Sequence, residues 1–416
     1  MHRLHTFTLG ALGALLIAGP AAAAQTIGDE DHHIKIGGLL QAWANAQQDA
    51  APDGGTETEM YLRRIRLMVF GKVEKKISFF IETDNPNFGR RGDFSGRMFI
   101  QDAYVEYEVS DALQVAAGLI LVPFSHHGMQ GATSLLGLDY HAALIRYPTG
   151  SNLVWRDTGV MARGMPFGNV FEYRLGVFNG VHGDATPAAK TSGASAWSQA
   201  TDPRNPSDAP RLAARVTLNA FDPEGGPGVG GMFYDGIYLE PKPEGLVSPK
   251  TVLSLGGSLD WQRKLNVQWA AAPATGTRQV ASRSDYVAAA GDVFWDIPVG
   301  PEKIMSANGQ VDVYYYDHGD RRSPDAFYAG SATMFSGIGV AAEAGFRYDI
   351  VEPVVLFDWF DSKEANGKDG DVVGIAGGVN TWLSGHTTTL KMQAGAVKTG
   401  DQRWLMTGTL QAQLLF

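Results

Sequence analysis

The chain has 416 residues, 44% of them hydrophobic and 19% charged, with 51 glycines, no cysteine and a formal net charge of −10. Without cysteine there are no disulfide scaffolds, thiolate metal sites or cysteine nucleophiles, and the acidic balance speaks against a nucleic-acid binder, whose footprint is a basic face. What remains is a large β protein, either soluble or a membrane barrel.

Residues 1–24 read as an export signal. Arg3 with His2 and His5 opens it, Leu9 to Ala18 is a short apolar core, Gly19-Pro20 breaks it, and Ala22-Ala23-Ala24 is a small-residue cleavage site. The apolar stretch is well short of the ~20 residues that a spanning helix needs. Residues 25–416 are then expected to form one exported domain.

From there the pattern alternates with period two. In Tyr61 to Val73, Ile65, Leu67, Val69 and Val73 share one face, and Arg64, Arg66 and Lys72 the other. In Ala103 to Val109, Val105, Tyr107 and Val109 alternate with Tyr104, Glu106 and Glu108. Leu212, Ala214, Val216 and Leu218 oppose Arg211, Arg215, Thr217 and Asn219. Later segments near 253–264, 287–296, 310–316, 341–350 and 389–397 repeat the theme. Successive side chains on a strand point to opposite faces, so the class is all-β with two-faced strands.

Connections alternate between short ones, such as those near Asp111 and Asp349, and long ones rich in glycine, proline and asparagine. The long set comprises 85–96, 125–152, 181–209, 223–231 and 318–330. Short turns at one rim and long loops at the other are the mark of a transmembrane barrel. Alternation alone does not say which face is outward, because a soluble barrel and a membrane barrel are mirror images in this respect. The end of the chain decides it. Trp404, Met406, Gly408, Leu410, Ala412, Leu414 and Phe416 form an unbroken apolar-or-glycine row, and a last strand closing on a terminal phenylalanine marks bacterial outer-membrane proteins. About 390 residues, at ~10 per strand plus turns and long loops averaging a further ~14 for each strand, predict roughly sixteen antiparallel strands, enough to enclose a water-filled channel. Trp261, Trp295, Phe357, Trp359, Trp382 and Trp404 are expected in the interfacial aromatic girdles.

Tyr61-Leu62-Arg63-Arg64-Ile65-Arg66-Leu67, Gly71-Lys72-Val73 and Phe80-Ile81-Glu82-Thr83-Asp84 resemble the opening hairpin of the phosphate-selective porin O and P family. Asp102-Ala103-Tyr104-Val105-Glu106-Tyr107 and Pro123-Phe124-Ser125 resemble that family's next hairpin. The resemblance implies a sixteen-stranded, trimeric outer-membrane channel with a constriction loop, here 125–152, folded into the lumen. That family's constriction carries a lysine cluster, whereas this chain has no lysine between Lys76 and Lys190. Its candidate cations there are Arg146 and Arg156, with His126 and His127 when protonated.

Arg64, Arg66, Arg211 and Arg215 are candidates for a cationic lumen wall, since guanidinium groups match oxyanions bidentately. The plainer reading pairs Arg64 and Arg66 with acids on adjacent strands, such as Glu82 or Asp102. Asp102, Glu106 and Glu108 form the opposing acidic face. His126-His127 read as lining of the constriction; adjacent residues on an extended chain point apart, so no metal site is predicted. Tyr314 and Tyr316, with Asp312, read as lumenal, either stacking on sugar rings as in carbohydrate channels or, the favoured reading, packing against the inserted loop. Gly226 to Gly231 matches a dinucleotide glycine pattern only as a loop coincidence, since no helix follows. No catalytic residue and no cofactor are expected. The expected function is passive diffusion of small hydrophilic solutes across the outer membrane, with a preference for anions or oxyanions such as phosphate. The alternatives are a non-selective, carbohydrate- or cation-preferring porin and an outer-membrane barrel enzyme of lipase type. The expected partners are outer-membrane lipid, the solutes and two further copies of the chain.

Overall fold

A computed structural model describes residues 24–145, 155–182, 205–226, 231–243, 245–269, 280–319, 335–363 and 370–416. The proposed signal therefore lies almost wholly outside the described residues, as does Arg146. Sixteen long strands run antiparallel, each bonded to the next in sequence. They are β1 (His33–Gln47), β2 (Glu57–Glu74), β3 (Ile77–Asp84), β4 (Phe99–Ser110), β5 (Leu113–Leu121), β6 (Arg156–Gly164), β7 (Phe171–Phe178) and β8 (Arg211–Asn219). They continue as β9 (Val252–Trp269), β10 (Val280–Val299), β11 (Met305–Asp317), β12 (Gly337–Tyr348), β13 (Val351–Ser362), β14 (Val372–His386), β15 (Thr388–Thr399) and β16 (Leu405–Leu415). A lead-in strand, Gln25–Gly28, lies against β1.

The cylinder closes where β16 pairs with β1, from Leu39 opposite Leu415 to Gln47 opposite Thr407. Closure leaves no open edge, which a sheet in hydrocarbon cannot tolerate. At the seam the Phe416 N–H donates to the Gly38 carbonyl at 3.0 Å, and the Gly38 N–H to the Phe416 carbonyl at 2.8 Å. A β-carbon at Gly38 would sit 2.8 Å from the Phe416 ring, so a larger residue there would displace that ring.

The faces are inverted relative to a soluble protein. On β7, Leu175 and Val177 are 52% and 51% exposed on the outer side, while Glu172 and Arg174 are 4% and 0% exposed inside. Apolar side chains outside and charged ones within are what a bilayer demands of a barrel. Most proposed girdle aromatics take outward positions, but Trp382 is a correction. It is fully buried in the lumen, where its indole N–H donates to Glu352 at 2.8 Å. A tryptophan carries both a large apolar surface and a donor, so either face suits it.

Loop length also departs from expectation at one connection. Strand direction places residues 220–251, between β8 and β9, at the rim that carries the two-residue turns 75–76 and 111–112. This long segment does not join the outer loops. It enters the lumen from the opposite end.

Candidate functional site

Two inserts fill the lumen, one from each rim. The first leaves the wall at Val122 and rejoins it at Trp155, and its neck is pinched by the Val122 N–H donating to the Trp155 carbonyl at 2.8 Å. Ser125 takes φ 58° as the chain leaves the wall, a strained value that persists because its surroundings fix it. Its N–H donates to Ser258 Oγ at 3.1 Å, and its hydroxyl accepts the Gly128 N–H at 3.0 Å, capping the single turn α1 (His126–Met129). Phe124 packs on Tyr314 and Tyr316, with ring centroids 6.2 and 5.9 Å away, and the Tyr316 hydroxyl donates to the Leu144 carbonyl at 2.9 Å. The two tyrosines thus hold the insert, as the packing reading expected.

The second insert meets the first through main-chain bonds. The Tyr234 N–H donates to the Met129 carbonyl at 2.9 Å, and the Gly131 N–H to the Tyr234 carbonyl at 3.1 Å. His126 lies between them, stacked on Phe294 at 4.2 Å and on Tyr234 at 5.1 Å. Its Nδ1 is 2.6 Å from Gln310 Oε1 and its Nε2 2.8 Å from Glu224. Both partners are acceptors, so the ring donates twice and is an imidazolium. Burial opposes that charge, but Glu224 overcomes it and raises the pKa.

His141 is likewise doubly engaged, with Nε2 3.3 Å from Glu343 and Nδ1 3.7 Å from Asp358. Burial disfavours its charge, yet the bonds to Asp358 and Glu343 push its pKa up to about 10. His127 is the neutral member. Its Nε2 accepts the His141 N–H at 3.0 Å, and its Nδ1 lies 2.9 Å from both Gln130 Oε1 and Gln310 Nε2. Burial, and then the charge on His141, lower its pKa to about 4. His127, His141 and Glu343 bring three donor atoms within 4.8 Å of one another, the spacing of a metal trio, but hydrogen bonds within the site already engage these groups.

Most wall arginines are paired with acids, while Arg347 on β12 donates to the Leu246, Ile304 and Asp349 carbonyls and to Ser248. Arg66 meets Glu82 at 2.9 Å and Asp84 at 3.0 Å; Arg156 meets Asp102 at 3.1 Å; Arg163 meets Glu106 at 2.7 Å. Arg211 lies 2.5 Å from Asp260 and 3.5 Å from Asp157, and Arg215 lies 2.6 Å from Asp292. Glu108 is half-buried on the inward face of β4, nearer the short-turn rim. The proposed cationic strip is therefore a ladder of ion pairs running from β2 to β10.

One sector differs. Residue-by-residue alternation missed Arg63, because a bulge in β2 opposite Gln41 and Ala42 turns both Arg63 and Arg64 inward. The signal available in the sequence was the Arg63-Arg64 doublet itself, which breaks the alternation. Both guanidinium groups bind one carboxylate of the first insert, Asp139, at 2.5 and 2.7 Å. Burial would raise the Asp139 carboxyl, but Arg64 and Arg63 hold it well below the usual range. Close by, Lys391 donates to the backbone carbonyls of Leu135 and Gly137 and lies over the Trp382 ring. Arg63 and Arg64 thus share a single carboxylate, giving this pair of guanidinium groups one positive charge in excess. A cavity of about 420 Å³ opens beside it, bounded by Trp43, Tyr61, Arg63, Arg90, Asp139 and Tyr140 among others.

A family model described as phosphate-selective porin O and P matches residues 34–274. No curated protein matches the chain. Among solved structures, the anion-selective porin from Comamonas acidovorans is 12% identical with a TM-score of 0.55, covering 92% of this chain and 99% of its own. OmpF of Salmonella typhi, in complex with daunomycin, gives 8% identity and a TM-score of 0.56 over 94% of this chain and 100% of its own. The outer-membrane channel DcaP of Acinetobacter baumannii gives 14% and 0.52 over 95% and 100%. Identities this low establish a common barrel and nothing finer.

Proposed function

The chain belongs to the phosphate-selective porin O and P family and is an outer-membrane channel protein, and from that premise we propose that it favours small anions, oxyanions such as phosphate among them. The observation that carries the preference is the sector around Asp139, where Arg63 and Arg64 face one carboxylate. Fixed charge of one sign along a narrow lumen lowers the entry barrier for the opposite ion. The ion-paired ladder elsewhere, in which Arg66, Arg156, Arg163, Arg211 and Arg215 face seven carboxylates, contributes shape and a transverse field and no positive surplus. His126 and His127 line the same constriction. Diffusion of this kind requires no cofactor and no chemistry. His126, His127 and His141 lie in the lumen, which disfavours a lipase-type reading that needs a histidine at the lipid face. Export through a signal at 1–24 and assembly as a homotrimer complete the proposal, both following from the sequence reading.

The test is the reversal potential of purified protein in a planar bilayer across a KCl gradient. A chloride-directed potential is expected, and Asp139→Asn should shift it further the same way by uncovering two guanidinium groups. A potassium-directed potential, or an unchanged one in the variant, overturns the anion assignment.

A further inference from the structure

We propose that the cavity beside Asp139 is a solute subsite for a hydroxylated ring bearing a carboxylate, the chemistry of an acidic sugar. The proposal rests on the channel reading and adds a substrate class to it.

Position comes first. Trp43, Asn45 and Gln47 have the inward parity of the buried Gln41 on β1, and Gln393 has that of the buried Lys391 on β15. The cavity therefore lies in the lumen, in the half nearer the long loops, with the tip of the first insert at Asp139 and Tyr140 as its floor. A solute arriving from that rim meets it before the constriction. Its volume of about 420 Å³ suits a small organic molecule.

The lining has three chemistries. Trp43 and Tyr61 form an aromatic corner, with ring centroids 6.0 Å apart and planes at 58°. Two cations lean on that corner: Arg63 lies 5.5 Å from the Trp43 ring centroid and Arg90 5.4 Å from that of Tyr61. Arg63 gives Nε and Nη2 to Asp139, and the half-exposed Arg90 keeps only a long 3.4 Å contact with Glu59. Around them Asn45, Gln393 and Thr407 supply amides and a hydroxyl.

Each chemistry selects against simpler occupants. Inorganic phosphate would use the guanidinium groups and leave the aromatic corner idle. A plain aromatic acid would use the rings and cations but offer nothing to the amide N–H groups of Asn45 and Gln393, whose oxygens already accept from Thr409 and Leu138, and that is costly once water is displaced. A sugar hydroxyl both donates and accepts, as amide and hydroxyl side chains do, and the apolar face of a sugar ring rests on aromatic surface. A carboxylate on that ring answers the two arginines.

The experiment uses the full-length channel in a planar bilayer, with probes added at the long-loop side and interruptions of the chloride current counted. Galacturonate, glucose, benzoate and inorganic phosphate are compared. Galacturonate is expected to interrupt the current at concentrations about tenfold below each of the other three. Trp43→Ala and Arg90→Gln, checked for barrel formation by heat-modifiable gel migration, should each weaken that block about tenfold. Arg90 lies in a loop, so its variant preserves the test if the Trp43 change prevents assembly. Equal block by phosphate or benzoate, or block unaltered by either substitution, overturns the proposal. If open channels carry chloride but galacturonate is inert, the subsite fails and the anion reading stands. If the current is cation-directed, the anion reading itself fails.

Discussion

At the scale of single residues, the lumenal histidines divide the titration between them. His141 has a folded pKa of about 10, above the ~6.5 of a free imidazole. Its contribution to docking the first insert is complete below pH ~6.5 and is lost as pH rises towards 10. His126, raised by Glu224 against its burial, adds to that alkaline loss. His127, at about 4, works the other way: the undocked ring binds a proton more readily, so docking weakens as pH falls from ~6.5 towards 4. Docking should therefore be tightest near neutrality and loosen on both sides. Single-channel current noise between pH 4 and 11 measures this, with a minimum expected near pH ~6.5. His141→Gln should flatten the alkaline limb and His127→Gln the acid one. Noise independent of pH would show that the imidazoles do not hold the insert.

At the scale of elements, the second insert can be removed without touching the wall. β8 and β9 pair with each other from Arg211 opposite Gln262 to Asn219 opposite Ser254, independently of the chain between them. Replacing residues 223–249 with a short turn should leave the barrel intact and remove Glu224 and Tyr234, two of the groups that hold His126. Conductance is expected to rise severalfold, and the first insert should become open to protease added from the short-turn side. Unchanged conductance would mean that the second insert lies off the conducting path. This insert also marks where the sequence stops being legible. Strand number, polarity and the loop at 125–152 follow from a local period of two and from loop lengths. Nothing in residues 220–251 says that their buried surface is the inside of the barrel, because Met232, Tyr234 and Tyr238 find their partners on strands far away in sequence. The bulge at Arg63 is similar: one extra residue reverses the parity of every residue before it in β2, and only its pairing with β1 shows which side is which. The ion-pair ladder was half legible, since opposite charges on inward faces could be read but their register could not.

At the scale of the whole molecule, the decisive feature is that apolar side chains lie outside and charges inside, and that inversion has a measurable consequence. Leu259, midway along β9, is half exposed on the outer face, while its neighbour Asp260 is buried against Arg211. In a water-soluble barrel, arginine at an exposed site such as 259 would change stability by no more than about 0.5 kcal/mol. In a bilayer the same side chain near the midplane costs about 2–4 kcal/mol, because hydrocarbon offers a guanidinium no partner. Leu259→Arg should thus lower the denaturant midpoint of the barrel refolded in phospholipid vesicles by an amount in the membrane range. Removing charge from the opposite face works through a different cost. Asp260→Asn leaves Arg211 with only the longer contact to Asp157, and breaking a buried pair typically costs about 3–5 kcal/mol. The outer substitution depends on what surrounds the barrel and the inner one does not. Changing from vesicles to a short-chain detergent micelle, which deforms around a charge, should relieve Leu259→Arg and leave Asp260→Asn as damaging as before. Equal relief of both would mean that β9 does not present these two faces to lipid and lumen.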